Sequence, residues 1–163
     1  MDNTRQEAID KLRDLIQNVD TAMLTTIDSG VLRSRPMDTQ QVEFDGDLWF
    51  MTSSENHHVD EIMKDNRVNV SYASPDDNTY VSVSGRAEFS TDRDKIAELW
   101  SLEHKAWFPE GQDDPNLILL KIVVEQAEYW DVTSSVFTQI AGFLKAVATG
   151  EAADGGENEK IGF

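Results

Sequence analysis

VLRSRPMDTQQVEFDGDLWFMTS, residues 31–53, is the stretch on which the fold turns. Val31 to Phe44 reads as a strand, Asp45-Gly46 as a hairpin signal, and Leu48-Trp49-Phe50-Met51-Thr52 as the strand that follows. Arg33 and Arg35 stand two apart on the first strand, so both side chains point to one face, and Met37 follows on that face. Pro36 lies between them without an N–H. That marks the segment as an edge, a bulge or a ligand-facing rim rather than a central ladder position. The hairpin is expected to lay 33–37 alongside 48–53.

Outward from there the pattern is strands with few helices. Thr4 and Glu7 have capping-box spacing, and Ile9, Leu12, Ile16 and Val19 recur at helical intervals, which predicts a helix over about 4–18. Ala22 to Ile27 reads as a strand closed by a Ser29-Gly30 turn. A short helix over 57–64 is followed by strands over 68–73, 80–89 and 117–131. Gly85 stands alone inside a strand and predicts a bulge or a close backbone approach. Thr91 to about Glu103 reads as a helix, and 104–116 as a loop with two aromatics. Val136, Ile140, Phe143, Leu144 and Val147 mark a C-terminal amphipathic helix, followed by a loosely ordered acidic tail. Hairpins dominate and strands do not alternate regularly with helices. The expected class is therefore mainly β, an antiparallel barrel of about six strands with peripheral helices, closed to remove its edges. The organisation expected is a barrel domain over 1–133, the amphipathic helix over 134–149 packed on the barrel or a partner, and a tail over 150–163.

Composition narrows the function. The 163 residues hold 14 Lys and Arg against 31 Asp and Glu, a net charge of -17. Nucleic acid and an anionic membrane face are poor partners for such a surface. There is no cysteine, which excludes disulfides, thiolate catalysis and iron–sulfur clusters. The polar, acidic start is no signal peptide, and no apolar run could span a bilayer, so a cytoplasmic location is the expectation. His57, His58 and His104 lack metal-ligand spacing, and no metal is expected. Neither a phosphate-binding glycine motif nor a nucleophile elbow occurs, so the catalytic residues stay unknown.

Against that background the basic residues are informative. Arg33 and Arg35 are the only ones between Arg13 and Lys64. Two guanidiniums on one face call for an anion. It is either an acid such as Glu43 or Asp47 on the neighbouring strand, or a ligand. Thr52, Ser53, Ser54, Asn56, His57 and His58 lead into a helix N-terminus, which suits either ordinary capping or a phosphate. Trp107 and Phe108 in their loop are a core plug, a dimer contact or a platform for a planar ring.

Taken together, SRPM (34–37) with Gln40, LWFMTS (48–53), HHVDEI (57–62), RVNVSYA (67–73), YVSVSGRAE (80–88), ELW (98–100), AWFPEGQDDP (106–115) and AEYWD (127–131) resemble a known family. It is the general-stress-protein branch of the pyridoxamine-phosphate-oxidase-like split-barrel flavoproteins. The resemblance implies a six-stranded antiparallel split barrel that forms a homodimer with FMN sites at the interface, FAD being the alternative cofactor. It places Arg35, Pro36, Met37 and Gln40 along the flavin, and Phe50, Met51, Thr52 and Ser53 along the ring and ribityl chain. His57 and His58 fall at the phosphate, Tyr80 at a polar contact, Trp107 as a residue reaching in from the partner, and Trp130 near the ring. Where the family commonly has lysine, this chain has His58, a switchable cation in place of a permanent one. Pyridoxamine-phosphate oxidation is disfavoured, because only Lys121, Lys145 and Lys160 are basic after Lys105. A flavin-dependent oxidoreductase or flavin carrier is expected. The alternatives are a non-catalytic stress or interaction module with weak or lost flavin binding, and a related barrel holding haem or a deazaflavin.

Overall fold

A computed structural model describes residues 2–40, 44–131, 147–150 and 157–163. The chain runs α1 (Asp2–Ile16), β1 (Thr21–Asp28), β2 (Val31–Asp38), β3 (Asp47–Ser53), α2 (His57–Lys64), β4 (Arg67–Ser74), β5 (Thr79–Ser90), α3 (Arg93–Leu99), β6 (Leu117–Asp131) and β7 (Glu157–Gly162). Every strand pairing is antiparallel, in the order β2-β1-β4-β5-β6-β3, and β7 adds to β6. This is the mainly β split barrel expected.

Local chemistry explains the turns. Ser29 and Gly30 both have positive φ, 52° and 84°, the conformation that matches a two-residue hairpin turn to the twist of its strands. The bulge expected at Gly85 is present. The β5–β6 register slips between Ser84 and Gly85, leaving Glu125 with no residue opposite it on β5. A Cβ on Gly85 would stand 2.2 Å from the Val123 carbonyl oxygen. The slip lets a 15-residue strand keep its apolar side chains inward: Leu120, Ile122 and Val124 are buried before it, Ala127 and Tyr129 after it.

Two cores result. The larger lies inside the curled sheet, with Leu24, Phe50, Val70, Val83, Leu120 and Ile122, capped by Ile9, Leu12 and Ile16 of α1. A smaller one joins Ile96 and Leu99 of α3 to Phe108, Leu117 and Leu119. Covering both faces of β6 at 117–120 is why that segment reads as an unbroken apolar run.

Some expectations change. Asp45-Gly46 does not close a hairpin ladder: β2 and β3 stand at opposite ends of the sheet order. Pro36 offers no N–H for a second ladder, and β3 instead pairs along its whole length with the apolar start of β6. Barrel closure by a β2–β3 pairing is therefore absent among the described residues. The helix expected over 91–103 breaks at Trp100. Ser101 there starts a separate 3-10 turn over 102–106, closed by a reciprocal Ser101–His104 capping box. The tail is not uniformly loose, since residues 157–162 form β7 on β6. Of the expected C-terminal helix, only 147–149 lie among the described residues, and these are helical. Among the described residues no helix is long and apolar enough to cross a membrane.

Candidate functional site

The sheet curls until its two ends face each other, and α2 bridges the seam. On one side Glu61 of α2 reaches Arg35 of β2 and Thr26 of β1. On the other, His58 of α2 reaches Thr52 of β3. Between them lies a cleft of about 750 Å³. Its walls are Arg33 to Asp38 and Gln40 from the β2 side, Met51 to Ser53 from β3, Asn56 to His58 and Glu61 from α2, and His104, Trp107 and Phe108 from the loop after α3, with Ser34 excepted. That size lies within the usual range for small-molecule sites.

The arginine pair lies on one face, as strand periodicity requires. The acid that both arginines share is not Asp47, which faces Lys121 at 3.5 Å. Glu61 takes both guanidiniums: Arg35 Nη2 donates to Oε2 at 2.9 Å and Arg33 Nη1 to Oε1 at 3.4 Å. Thr26, fully buried, donates its hydroxyl to Oε2 at 2.6 Å and accepts from Arg35 Nη2 at 2.9 Å. Arg33 also meets Asp28 at 2.9 Å, and that contact holds the Asp28 carboxyl below the usual carboxylate range. Glu43 lies outside the described residues.

One buried donor of the cleft stays unmet. Arg35 Nη1 is buried and, like Trp49 Nε1 outside the cleft, has no hydrogen-bond partner among the described residues. A buried charged donor left unpaired is costly, so it marks where an acceptor belongs.

The opposite wall is a hydroxyl–amide–imidazole group. Thr52 Oγ1 accepts from Asn56 Nδ2 at 3.0 Å and lies 2.9 Å from His58 Nε2. Asn56 occupies the N-cap of α2 without capping it by its side chain, so N–H groups at that terminus are open to a ligand. Burial pushes the His58 pKa down, and the nearby Arg35 charge lowers it further. His58 is thus neutral at neutral pH. All three histidines of the chain border this one cleft. In His104, Nδ1 accepts from the Ser101 N–H at 2.9 Å, which puts the proton of the neutral ring on Nε2.

Arg35, Pro36, Met37, Gln40, Met51, Thr52, Ser53, His57, His58 and Trp107 therefore line one cavity. Trp107, which the resemblance brings from a partner, borders the cleft of its own chain and is three-quarters exposed. Phe50 faces the core and lines a smaller cavity of about 320 Å³ that shares Gln40. Tyr80 and Trp130 do not line the cleft. They are cross-strand neighbours, each about 40% exposed, on the face opposite the buried Val81 and Tyr129.

Sequence reasoning missed Thr26 and Glu61. A signal existed for Glu61: it stands three residues after His58, so both occupy one helix face. Thr26 gave none, being one polar residue in an ordinary strand alternation. Among the described residues no cluster suits a metal ion.

Residues 7–154 match the family model described as pyridoxamine 5'-phosphate oxidase like. The chain is 32% identical over 143 residues to the protein bli-3 of Neurospora crassa, covering 81% of this chain and 68% of that one. It is 29% identical over 125 residues to general stress protein 26 of Bacillus subtilis, covering 74% and 86%. The crystal structure of the general stress FMN/FAD binding protein of Xanthomonas citri superposes with a TM-score of 0.67 at 28% identity, over 82% of this chain and 94% of that one.

Proposed function

The chain belongs to the pyridoxamine 5'-phosphate oxidase-like family, in its general-stress-protein branch, and we propose on that footing that the cleft binds flavin mononucleotide. The observation that carries the reading is the Nη1 of Arg35, a cleft residue, which is buried and has no hydrogen-bond partner among the described residues. Arg35, Ser53, Asn56, His57, His58 and the N-terminal N–H groups of α2 would hold the phosphate. Met37 and Met51 offer soft, polarisable walls for a planar ring, with Trp107 at the rim. The flavin, when bound, supplies electron or hydride transfer; the protein supplies binding, orientation and exclusion of water. The general stress FMN/FAD binding protein of Xanthomonas citri supports the ligand class by likeness. FAD is the alternative cofactor.

A flavin-dependent oxidoreductase or flavin carrier of unassigned substrate follows. Pyridoxamine-phosphate oxidation does not suit the chain, because β6 contributes one lysine, Lys121, and that is engaged by Asp47 and Trp49. A homodimer with its cofactor sites at the interface is part of the proposal. The exposed Trp107, Tyr80 and Trp130 support it as surface a second copy could cover.

The test is the visible absorption spectrum of the purified protein, followed by release and identification of the bound molecule. A yellow protein that releases FMN is expected. A colourless protein that excess FMN cannot reconstitute overturns the proposal in favour of a non-catalytic stress or interaction module. The neutral state of His58 and the carboxylate on the arginines favour that second reading.

A further inference from the structure

Glu61 takes no part in the contacts that the flavin reading assigns, yet it is the group that both arginines of the cleft meet. We propose that Glu61 sets the charge preference of the cleft. By cancelling the arginine pair, it holds down the cleft's preference for a phosphorylated flavin over unphosphorylated riboflavin. The inference rests on the flavin reading above.

The geometry fixes the carboxylate firmly. Oε1 faces Arg33, Oε2 faces Arg35 and the Thr26 hydroxyl, and only 8% of the side chain is exposed. A buried charge of this kind is screened little by salt or water. The other charges of the cleft do not restore a positive balance. Asp38 of β2 adds a second carboxylate, so two arginines face two acids. Asp28 at the end of β1 draws on Arg33 as well. His57 and His58 of α2 and His104 of the loop add positive charge only when protonated. A dianionic phosphate therefore meets a cleft whose formal charges cancel. The uncharged ring and ribityl chain of a flavin lose nothing to Glu61; the phosphate does.

Holding the arginines and cancelling their charge are separable. A glutamine at 61 keeps an acceptor for Arg35 and Thr26 and removes the negative charge. Dissociation constants for FMN and riboflavin, measured by flavin fluorescence quenching on the full chain, read the difference between wild type and Glu61→Gln. FMN is expected to tighten on the order of tenfold while riboflavin is unchanged. A residue of purely structural importance would move both ligands together. Glu61→Ala removes the same charge without the amide and is expected to raise the FMN-over-riboflavin ratio too. A ratio that stays level or falls in both variants overturns the inference. Wild type that binds neither flavin sinks the flavin reading itself. In that event a variant that gains FMN still supports the role of Glu61, and a variant that gains nothing overturns it as well.

Discussion

The ladder between β5 and β6 and the seam between β2 and β3 are both made of alternating strands, with opposite results. Along β5–β6 the inward side chains are apolar apart from Thr79, and the one irregularity, at Gly85, keeps the pleat in phase with the core. At the seam the strands do not pair. A helix spans the gap, and Thr52, His58 and Glu61, with Thr26 of the neighbouring β1, are buried around it. Among the described residues the ladder leaves no buried side-chain donor unmet. The seam leaves one guanidinium nitrogen, Nη1 of Arg35, unmet among the described residues. A sheet edge that is neither paired nor charged to repel strangers is a liability. Here the same opening supplies the space and the donors for a ligand.

The largest expected effect breaks the ladder and spares the seam. Gly85→Ala drives a Cβ into the Val123 carbonyl, and overpacking of that kind costs about 3 kcal/mol. Urea denaturation should report that loss, while flavin affinity per folded molecule stays at the wild-type value. A variant that folds with unchanged midpoint would mean that the bulge has no steric cause.

The next effect strikes the seam. Arg35→Ala should weaken FMN binding by about 1–3 kcal/mol, the scale of a charge-assisted hydrogen bond. Titration with the fold verified by circular dichroism checks it, and an unchanged affinity would remove Arg35 from the site.

The smallest effect is a pH dependence that differs in sign between folding and binding. His58 binds its proton less readily in the folded protein than its ordinary value of 6.5 allows. The unfolded chain therefore takes up more protons between that value and the depressed native one. The contribution of His58 to stability is full above pH 6.5 and is lost as the pH falls through that window. His58→Gln should flatten this part of a denaturation profile taken between about pH 5 and about pH 7.5. FMN binding should run the other way. A phosphate beside His58 favours its protonated form against burial, the Arg35 charge opposes it, and Glu61 assists it. Affinity is then expected to fall as pH rises above neutrality. A flat affinity from about pH 6 to about pH 8.5 takes His58 away from the phosphate.

The sequence by itself determined most of the strands, because alternation at period two is local and β1, β3, β4 and β5 carry it. It determined the Gly85 irregularity, since a lone glycine in a strand has few other uses. It also placed Arg33 and Arg35 on one face, which two-residue spacing forces wherever the strand lies. What only the tertiary structure decided is who meets them. Asp47 and Glu61 are both acids within reach of a plausible chain path, and nothing in composition or spacing chooses between them. The choice came from β3 pairing with β6 in place of β2, which carried Asp47 to Lys121 and let α2 bring Glu61, 26 residues along the chain from Arg35, into the seam. The same holds for β7, whose acidic and glycine-rich approach gives no local sign that 157–162 will find the free edge of β6. Periodicity is written into neighbouring residues. Partner choice across a sheet depends on which long-range pairing buries the most apolar surface, and that quantity belongs to the whole chain.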